Sequence, residues 1–277
     1  MDALVREGAN RVSGSDSSQP GIVWLASYPK CGNTWLRFML STAIFGPPER
    51  TADVEARIPD LHRPFDPPPA HQGRIYIKTH FVLSDDHPML DRTDRAIHII
   101  RNPKDIVLSA LNYQRLTGEG DRSWTRAGYV KRFIRHGGDR AWLRGGFGTW
   151  ADHARSWRQT DRFPVLALRY EDLKSDPRAE LTRMLAFLGL PADPDRIDAA
   201  LQASSFESMR AMEIRESQAT PVTPNGRPFL GLKRRTRDAF FVNKGRSGQS
   251  LDTVRPGLDA RFDAAFADDM RAFGYNS

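Results

Sequence analysis

Residues 22–45, IVWLASYPKCGNTWLRFMLSTAIF, decide the fold of this chain. The stretch begins with five apolar residues, which is enough for one buried strand, and continues through a polar, basic turn. Apolar residues then recur at steps of three and four, which predicts an amphipathic helix that ends at Gly46-Pro47-Pro48. A strand, a tight turn and a helix in this order direct backbone N–H groups and the positive end of a helix dipole to one point. The sequence therefore predicts a phosphate-binding turn.

The side chains of this turn also suit an anion. Lys30 adds a positive charge beside the predicted helix, and Asn33 or Thr34 is expected to cap that helix. The pattern is not the Walker A loop, because Lys30 precedes Gly32 and an early glycine is missing. The alternative interpretation is an ordinary strand-to-helix turn with an exposed lysine.

The composition is that of a globular protein. The chain has 277 residues, of which 39% are hydrophobic and 27% are charged, and its net charge is +7. This charge favours an anionic ligand, an anionic acceptor or nucleic acid. The alternative interpretation is that the excess of arginine only solvates the surface. The sequence has no apolar run of the length that a membrane helix needs and no secretory signal, so we expect no membrane association. The single cysteine, Cys31, excludes an intrachain disulfide and fits a reducing cytoplasm.

Strand and helix patterns alternate along the rest of the chain. Further strands are predicted at 74–80, 96–101 and 164–169, and helices at 104–114, 150–158, 177–188, 195–202 and 258–273. This order predicts an α/β fold, a single domain with a central parallel sheet flanked by helices. We expect a disordered N-terminal tail at 1–19 and a domain at 20–277. The loop-rich segments at about 46–73 and 116–150 are expected to border a ligand.

Polar residues follow each predicted strand. Lys78-Thr79-His80 ends the second strand, Arg101 ends the third, and Tyr170 follows the fourth. Ligands of parallel α/β sheets bind beyond the carboxyl ends of the strands, so Lys78-Thr79-His80 should face the same crevice as Lys30. Histidine suits a general base and a guanidinium suits phosphate. The ordinary alternatives are a structural histidine and an arginine that forms a salt bridge with Asp105.

Several of these motifs resemble one family. Tyr28-Pro29-Lys30-Cys31-Gly32-Asn33-Thr34-Trp35 resembles the 5′-phosphosulfate loop of the sulfotransferases that use 3′-phosphoadenosine 5′-phosphosulfate (PAPS), although members usually have Ser, Thr or Ala at the position of Cys31. Many members have Lys-Thr-His at the second strand end. The run 101–105 with Ser109 is similar to the family's 3′-phosphate motif. Residues 170–172, 204–209 and 240–249 resemble segments beside the adenine and over the 3′-phosphate, with Asn243 in place of the usual Arg.

The resemblance implies a P-loop-like sulfotransferase fold and an enzyme that transfers a sulfuryl group from PAPS, without a metal, to a hydroxyl or amine of a small molecule. It implies His80 as the general base, with Lys30 and Lys78 stabilising the charge that grows on the bridging and leaving oxygens, and Trp35 stacking on adenine. The implied donor-binding residues are Lys30, Cys31, Gly32, Asn33, Thr34, Trp35, Arg101, Ser109, Tyr170, Ser205, Phe206, Phe241, Asn243, Lys244 and Gly245. Some bacterial members of this size sulfate natural products, and by analogy the resemblance suggests a similar acceptor here.

Two other classes of protein stay open at this point. A P-loop nucleotide kinase would share the fold, but it should show a Walker A loop and a magnesium-binding acid. A basic nucleic-acid-binding module would use the positive charge and the aromatic residues between 124 and 150. The resemblance implies that nucleic acid is not a partner. It allows a homodimer, for which Thr253-Val254 is at most a vestigial signature.

Overall fold

The computed structural model describes residues 19–118, 125–219, 240–242 and 245–275. Four strands, β1 (Gly21–Ser27), β2 (Arg74–Thr79), β3 (Thr93–Ile100) and β4 (Val165–Arg169), form one sheet in the order β2-β1-β3-β4. All three pairings are parallel. The four predicted strands are therefore confirmed, as is the α/β fold with a central parallel sheet.

Helices connect and cover the strands. In chain order they are α1 (Asn33–Phe45), α2 (Thr51–Arg57), α3 (Pro103–Thr117), α4 (Arg126–His136), α5 (Arg140–Arg144), α6 (Trp150–Arg158), α7 (Tyr170–Ser175), α8 (Pro177–Leu188), α9 (Pro194–Ala203), α10 (Phe206–Ala219) and α11 (Leu258–Ala272). Within the described ranges, no helix is both long and apolar enough to cross a membrane. The predicted tail at 1–19 falls almost wholly outside those ranges.

The central strand β1 is buried on both faces of the sheet. Val23 and Leu25 pack into the larger core together with α1 and α3, whereas Ile22 and Trp24 pack into a smaller core with Trp157. Strands buried on both faces need apolar residues at every position, which explains the continuous apolar run from which the sequence analysis began. Because the strands are parallel, their carboxyl ends lie along one edge of the sheet.

Candidate active site

The turn after β1 takes a conformation that requires glycine. Gly32 precedes α1 as its N-cap with φ +98°, and Lys30 also has a positive φ of +71°. A Cβ atom on Gly32 would come within 2.6 Å of Cδ2 of Tyr170. The aromatic ring of the β4–α7 junction therefore lies directly against the turn, and only glycine fits between them.

The prediction that Asn33 or Thr34 caps α1 is wrong, because no side chain caps this helix. Instead, the buried Asn33 amide Nδ2 donates to the backbone oxygen of Leu25 at 2.9 Å and to Oγ of Ser27 at 3.1 Å. Asn33 thus fastens the turn to the end of β1. The first N–H groups of α1 are left without a side-chain cap, as an anion-binding turn requires.

The ammonium group of Lys30 contacts two aromatic rings. Its Nζ is 4.3 Å from the ring centre of Tyr113 and 4.5 Å from that of Phe241. Burial, together with the positive charges of Arg101 and Lys78, lowers the pKa of Lys30 to about 7. A bound polyanion would raise the pKa of Lys30 again, because its negative charge stabilises the ammonium form.

Lys78, at the end of β2, forms an ion pair with Asp60. Its Nζ lies 2.6 Å from Oδ2 of Asp60, and the residue is only 8% exposed. Burial lowers the pKa of Lys78, while Asp60 acts in the opposite direction. Lys78 is close enough to Lys30 to affect its pKa. The positive charge of Lys78 is thus held beside the predicted sulfuryl site by a carboxylate that the sequence analysis did not single out.

His80 is fixed in an orientation that suits a base. Its Nδ1 lies 2.6 Å from the backbone oxygen of Ser27, and because a carbonyl only accepts, Nδ1 carries the proton. Nε2 is therefore the nitrogen with the lone pair. Burial and the charge of Lys78 place the pKa of His80 well below its usual value, so the imidazole is neutral at neutral pH.

Arg101 joins the turn to the C-terminal segment. Its guanidinium lies 4.2 Å from the ring centre of Tyr170, and it donates to the backbone oxygens of Lys30 at 3.2 Å and Arg246 at 2.7 Å. It does not form the salt bridge with Asp105 that the sequence left open. Asp105 instead accepts from the backbone N–H groups of Gly248 and Gln249.

The predicted adenine-side residues meet around Tyr170. The rings of Trp35 and Tyr170 pack edge to face at 5.8 Å, and a Cβ on Gly245 would lie 3.9 Å from both the Tyr170 hydroxyl and the Phe206 ring. Phe206 is 42% exposed. The hydroxyl of Ser205 accepts from the backbone N–H of Ser208 and so caps α10.

The remaining predicted residues lie as follows. Ser109 is half-buried on α3, Cys31 is buried, and Thr34 is half-buried at the start of α1. Asn243 and Lys244 fall outside the described residues. In the part of the chain that the structure describes, no group of three or more His, Cys, Asp or Glu side chains could hold a metal ion.

Sequence reasoning missed four residues that hold the site together. Asp60 and His62 contact Lys78 and His80, while Asp105 and Glu213 bind the backbone of the C-terminal segment. One signal was present for the first pair: Asp60-x-His62 repeats the spacing of Lys78-x-His80. Asp105 and Glu213 gave no such signal, because their partners are distant backbone amides.

The turn after β1 leaves the first N–H groups of α1 without a side-chain cap, and Lys30, Lys78 and a neutral His80 lie at the same edge of a parallel sheet. This is the arrangement expected of an enzyme that transfers an activated phosphate-like group. The family model of the sulfotransferase domain matches residues 20–274, and the chain belongs to that family. The family and the reaction class that the sequence predicted, transfer of a sulfuryl group, are thereby confirmed.

Individual relatives agree with this assignment. The chain is 28% identical to dog sulfotransferase 1A1, over 93% of this chain and 86% of that protein. It is 25% identical to rabbit amine sulfotransferase, over 91% of this chain and 81% of that protein. The fold is similar to that of mouse sulfotransferase SULT7A1 complexed with PAP (TM-score 0.60, 22% identity, 91% and 84% coverage). It is also similar to that of retinol dehydratase complexed with retinol and PAP (TM-score 0.65, 18% identity, 97% and 86% coverage).

Proposed function

We propose that this protein transfers the sulfuryl group of PAPS to a hydroxyl or amine of a small-molecule acceptor. The observation that carries the proposal is the meeting of the Lys30–Gly32 turn, Arg101 and Tyr170 at the carboxyl edge of the sheet. The mouse and retinol dehydratase structures named above contain PAP, which is the donor without its sulfuryl group. PAPS is accordingly the donor.

The donor carries about four negative charges, which several lysine and arginine contacts would offset. In this proposal the amides at the start of α1 bind the 5′-phosphosulfate with Lys30. Trp35 and Tyr170 bind the adenine together with Ser205, Phe206 and Phe241. Arg101, Ser109 and the segment around Gly245 bind the 3′-phosphate.

The reaction is an in-line displacement at sulfur. A lone pair of the acceptor oxygen or nitrogen forms the new bond to sulfur, and the bond between sulfur and the bridging phosphate oxygen breaks. Its electron pair stays with the phosphate, where Lys30 stabilises the growing charge. The acceptor proton passes to Nε2 of His80. Lys78 contributes positive charge to the same region from its ion pair with Asp60.

The acceptor side is lined by aromatic rings. Phe147 lies 5.7 Å from the His80 ring and 5.8 Å from Phe81. An apolar small molecule with one nucleophilic group fits such a surface. The same proposal includes a natural product as the acceptor, bound beside the loops at about 46–73 and 116–150. It also includes a domain that begins at residue 20 after a tail at 1–19, a cytoplasmic location and a homodimer.

Thermal unfolding with nucleotides tests the donor. PAP at about a hundred times its Kd should stabilise the protein by about 2.7 kcal/mol, which raises Tm by a few degrees. ATP and ADP at the same concentration are the controls, because they lack the 3′-phosphate. A shift with ATP but not with PAP would favour the kinase alternative. No shift with any of the three would refute a nucleotide donor.

A further inference from the structure

We propose that His62 is a positioning residue for the reaction: it holds the backbone and the imidazole ring of His80 so that Nε2 of His80 faces the acceptor. The inference rests on the proposed function, in which His80 is the base. None of the motifs that resemble the family includes His62, and its only trace in the sequence is the spacing that Asp60-x-His62 shares with Lys78-x-His80. The argument comes from the pairing of its segment with β2.

Residues 59–61 pair with β2 at the edge of the sheet. The backbone N–H of Lys78 donates to the oxygen of Pro59 at 2.9 Å, and the N–H of Leu61 donates to the oxygen of Lys78 at 3.0 Å. This parallel bridge places Asp60 opposite Lys78. Side chains two residues apart on a strand share a face, so His62 comes next to His80 on the face where Asp60 meets Lys78.

His80 is held from three directions. Its backbone N–H donates to Nε2 of His62 at 2.8 Å, and the two imidazole rings stack at 5.6 Å with an angle of 12° between them. Its Nδ1 donates to the backbone oxygen of Ser27. Two of these three contacts come from His62. The remaining group, Nε2 of His80, is the nitrogen that the reaction needs.

His62 can only perform this role as a neutral ring with its proton on Nδ1, because Nε2 accepts a hydrogen bond. Burial and then the charge of Lys78 lower the pKa of His62 to about 3, with His87 and Arg63 acting in the same direction and Asp60 against it. The ring is also packed against Phe81 and Phe147, at 4.4 and 4.7 Å. His62 therefore remains an acceptor throughout the pH range in which the enzyme would be assayed.

Two substitutions separate the contributions of His62. His62→Phe keeps a stacking ring but removes the acceptor, whereas His62→Gln keeps an acceptor of similar reach but removes the ring. His136→Phe, at an exposed position of α4, is the matched control. His80→Ala removes the proposed base completely and so gives the largest loss with which the His62 variants are compared. PAP binding and Tm are measured for every variant, and both should stay near the wild-type values if only the base is displaced.

The informative readout is transfer from PAPS to two phenols of different acidity. Phenol needs a base, whereas the far more acidic 4-nitrophenol ionises without one. We expect His62→Phe to lower kcat for phenol by about 10- to 100-fold, because small displacements of a catalytic group have effects of this size. With 4-nitrophenol the loss should be no more than about threefold, and His80→Ala should show the same contrast more strongly. His62→Gln should recover most of the phenol activity.

Equal losses with both phenols, or a loss of PAP affinity, would show that His62 is only structural and would overturn the inference. So would wild-type kcat for phenol in His62→Phe. If the wild type sulfates neither phenol, hydrolysis of PAPS to PAP and sulfate replaces the phenol measurement, and transfer to azide, an anion with no proton to remove, replaces the 4-nitrophenol measurement. A wild type that binds no PAP and consumes no PAPS would refute the proposed function, and this inference with it.

Discussion

Lys30 has an environment that is unusual for a lysine. Most buried ammonium groups are paired with a carboxylate, as Lys78 is with Asp60. The Lys30 ammonium instead contacts the faces of Tyr113 and Phe241, close to the positive charges of Arg101 and Lys78. Cation–π contacts stabilise it only partly. An anionic ligand bound at this site would therefore stabilise the charge of Lys30 further.

The first prediction at this scale concerns the pH dependence of PAP binding. The pKa of Lys30 is about 7 without ligand, and bound phosphates should raise it. Above pH 7 binding therefore requires uptake of a proton, and PAP affinity should fall by up to about tenfold per pH unit between pH 7 and 9. His62 and His80 are already neutral in this range and do not contribute. Calorimetry in two buffers of different ionisation enthalpy measures the proton uptake.

The control for this prediction is Lys30→Arg, whose guanidinium stays charged across the whole range. Its PAP affinity should change little between pH 7 and 9, whatever its absolute value. If the variant shows the same pH slope as the wild type, Lys30 is not the group that takes up the proton.

At the scale of single elements, the β1–α1 turn depends on Gly32 for two reasons. The positive φ disfavours any other residue, and the Tyr170 ring leaves no room for a Cβ. Gly189, which ends α8, is also left-handed, with φ +69° and ψ 27°, but nothing lies within 4 Å of its Cβ position. Gly32 and Gly189 therefore share a left-handed backbone, and only Gly32 has a ring where its Cβ would be.

Alanine substitution at both glycines tests this difference. Gly189→Ala should lower the free energy of unfolding by about 1 kcal/mol, the cost of the left-handed conformation. Gly32→Ala should cost about 1–3 kcal/mol more, because the ring or the turn must move. Only Gly32→Ala should weaken PAP binding. Urea unfolding and PAP titration measure both effects, and equal unfolding energies for the two variants would contradict the steric argument.

Elements were predictable where local residues define them. Helices α6 and α8 begin and end at the predicted residues, and Asn102 caps α3 ahead of Pro103, because prolines, glycines and capping side chains act over a few positions. The pairing of residues 59–61 with β2 was not predictable, since one bridge leaves no periodic pattern. The cap of α1 was predicted wrongly because the side chain of Asn33 binds β1 instead.

At the scale of the whole molecule, two buried carboxylates attach the C-terminal segment to different helices. Glu213 on α10 accepts from the backbone N–H groups of Phe241 and Val242, at 2.7 and 3.0 Å. Asp105 on α3 accepts from Gly248 and Gln249, at 3.0 and 3.1 Å. These contacts join residues far apart in sequence, so no local pattern indicated them, whereas each residue of the proposed donor site stands in a local motif.

The last prediction follows from this arrangement. Asp105→Asn and Glu213→Gln each replace one acceptor oxygen by an N–H₂ group that faces backbone donors. Each should lower the free energy of unfolding by about 1–3 kcal/mol, because buried N–H groups lose their partners. Asp268→Asn, at an exposed ion pair with Arg271, should stay within about 0.5 kcal/mol of the wild type. Urea unfolding measures all three.

The same variants test whether the attachment serves the donor site. The segment between the two carboxylates includes Gly245, beside Tyr170, and Arg246, whose backbone oxygen binds Arg101. Loosening either end should therefore raise the Kd for PAP in both variants, and the double variant should bind more weakly than either single one. If the variants lose stability but keep the wild-type PAP affinity, the two carboxylates stabilise the fold without positioning the donor loop.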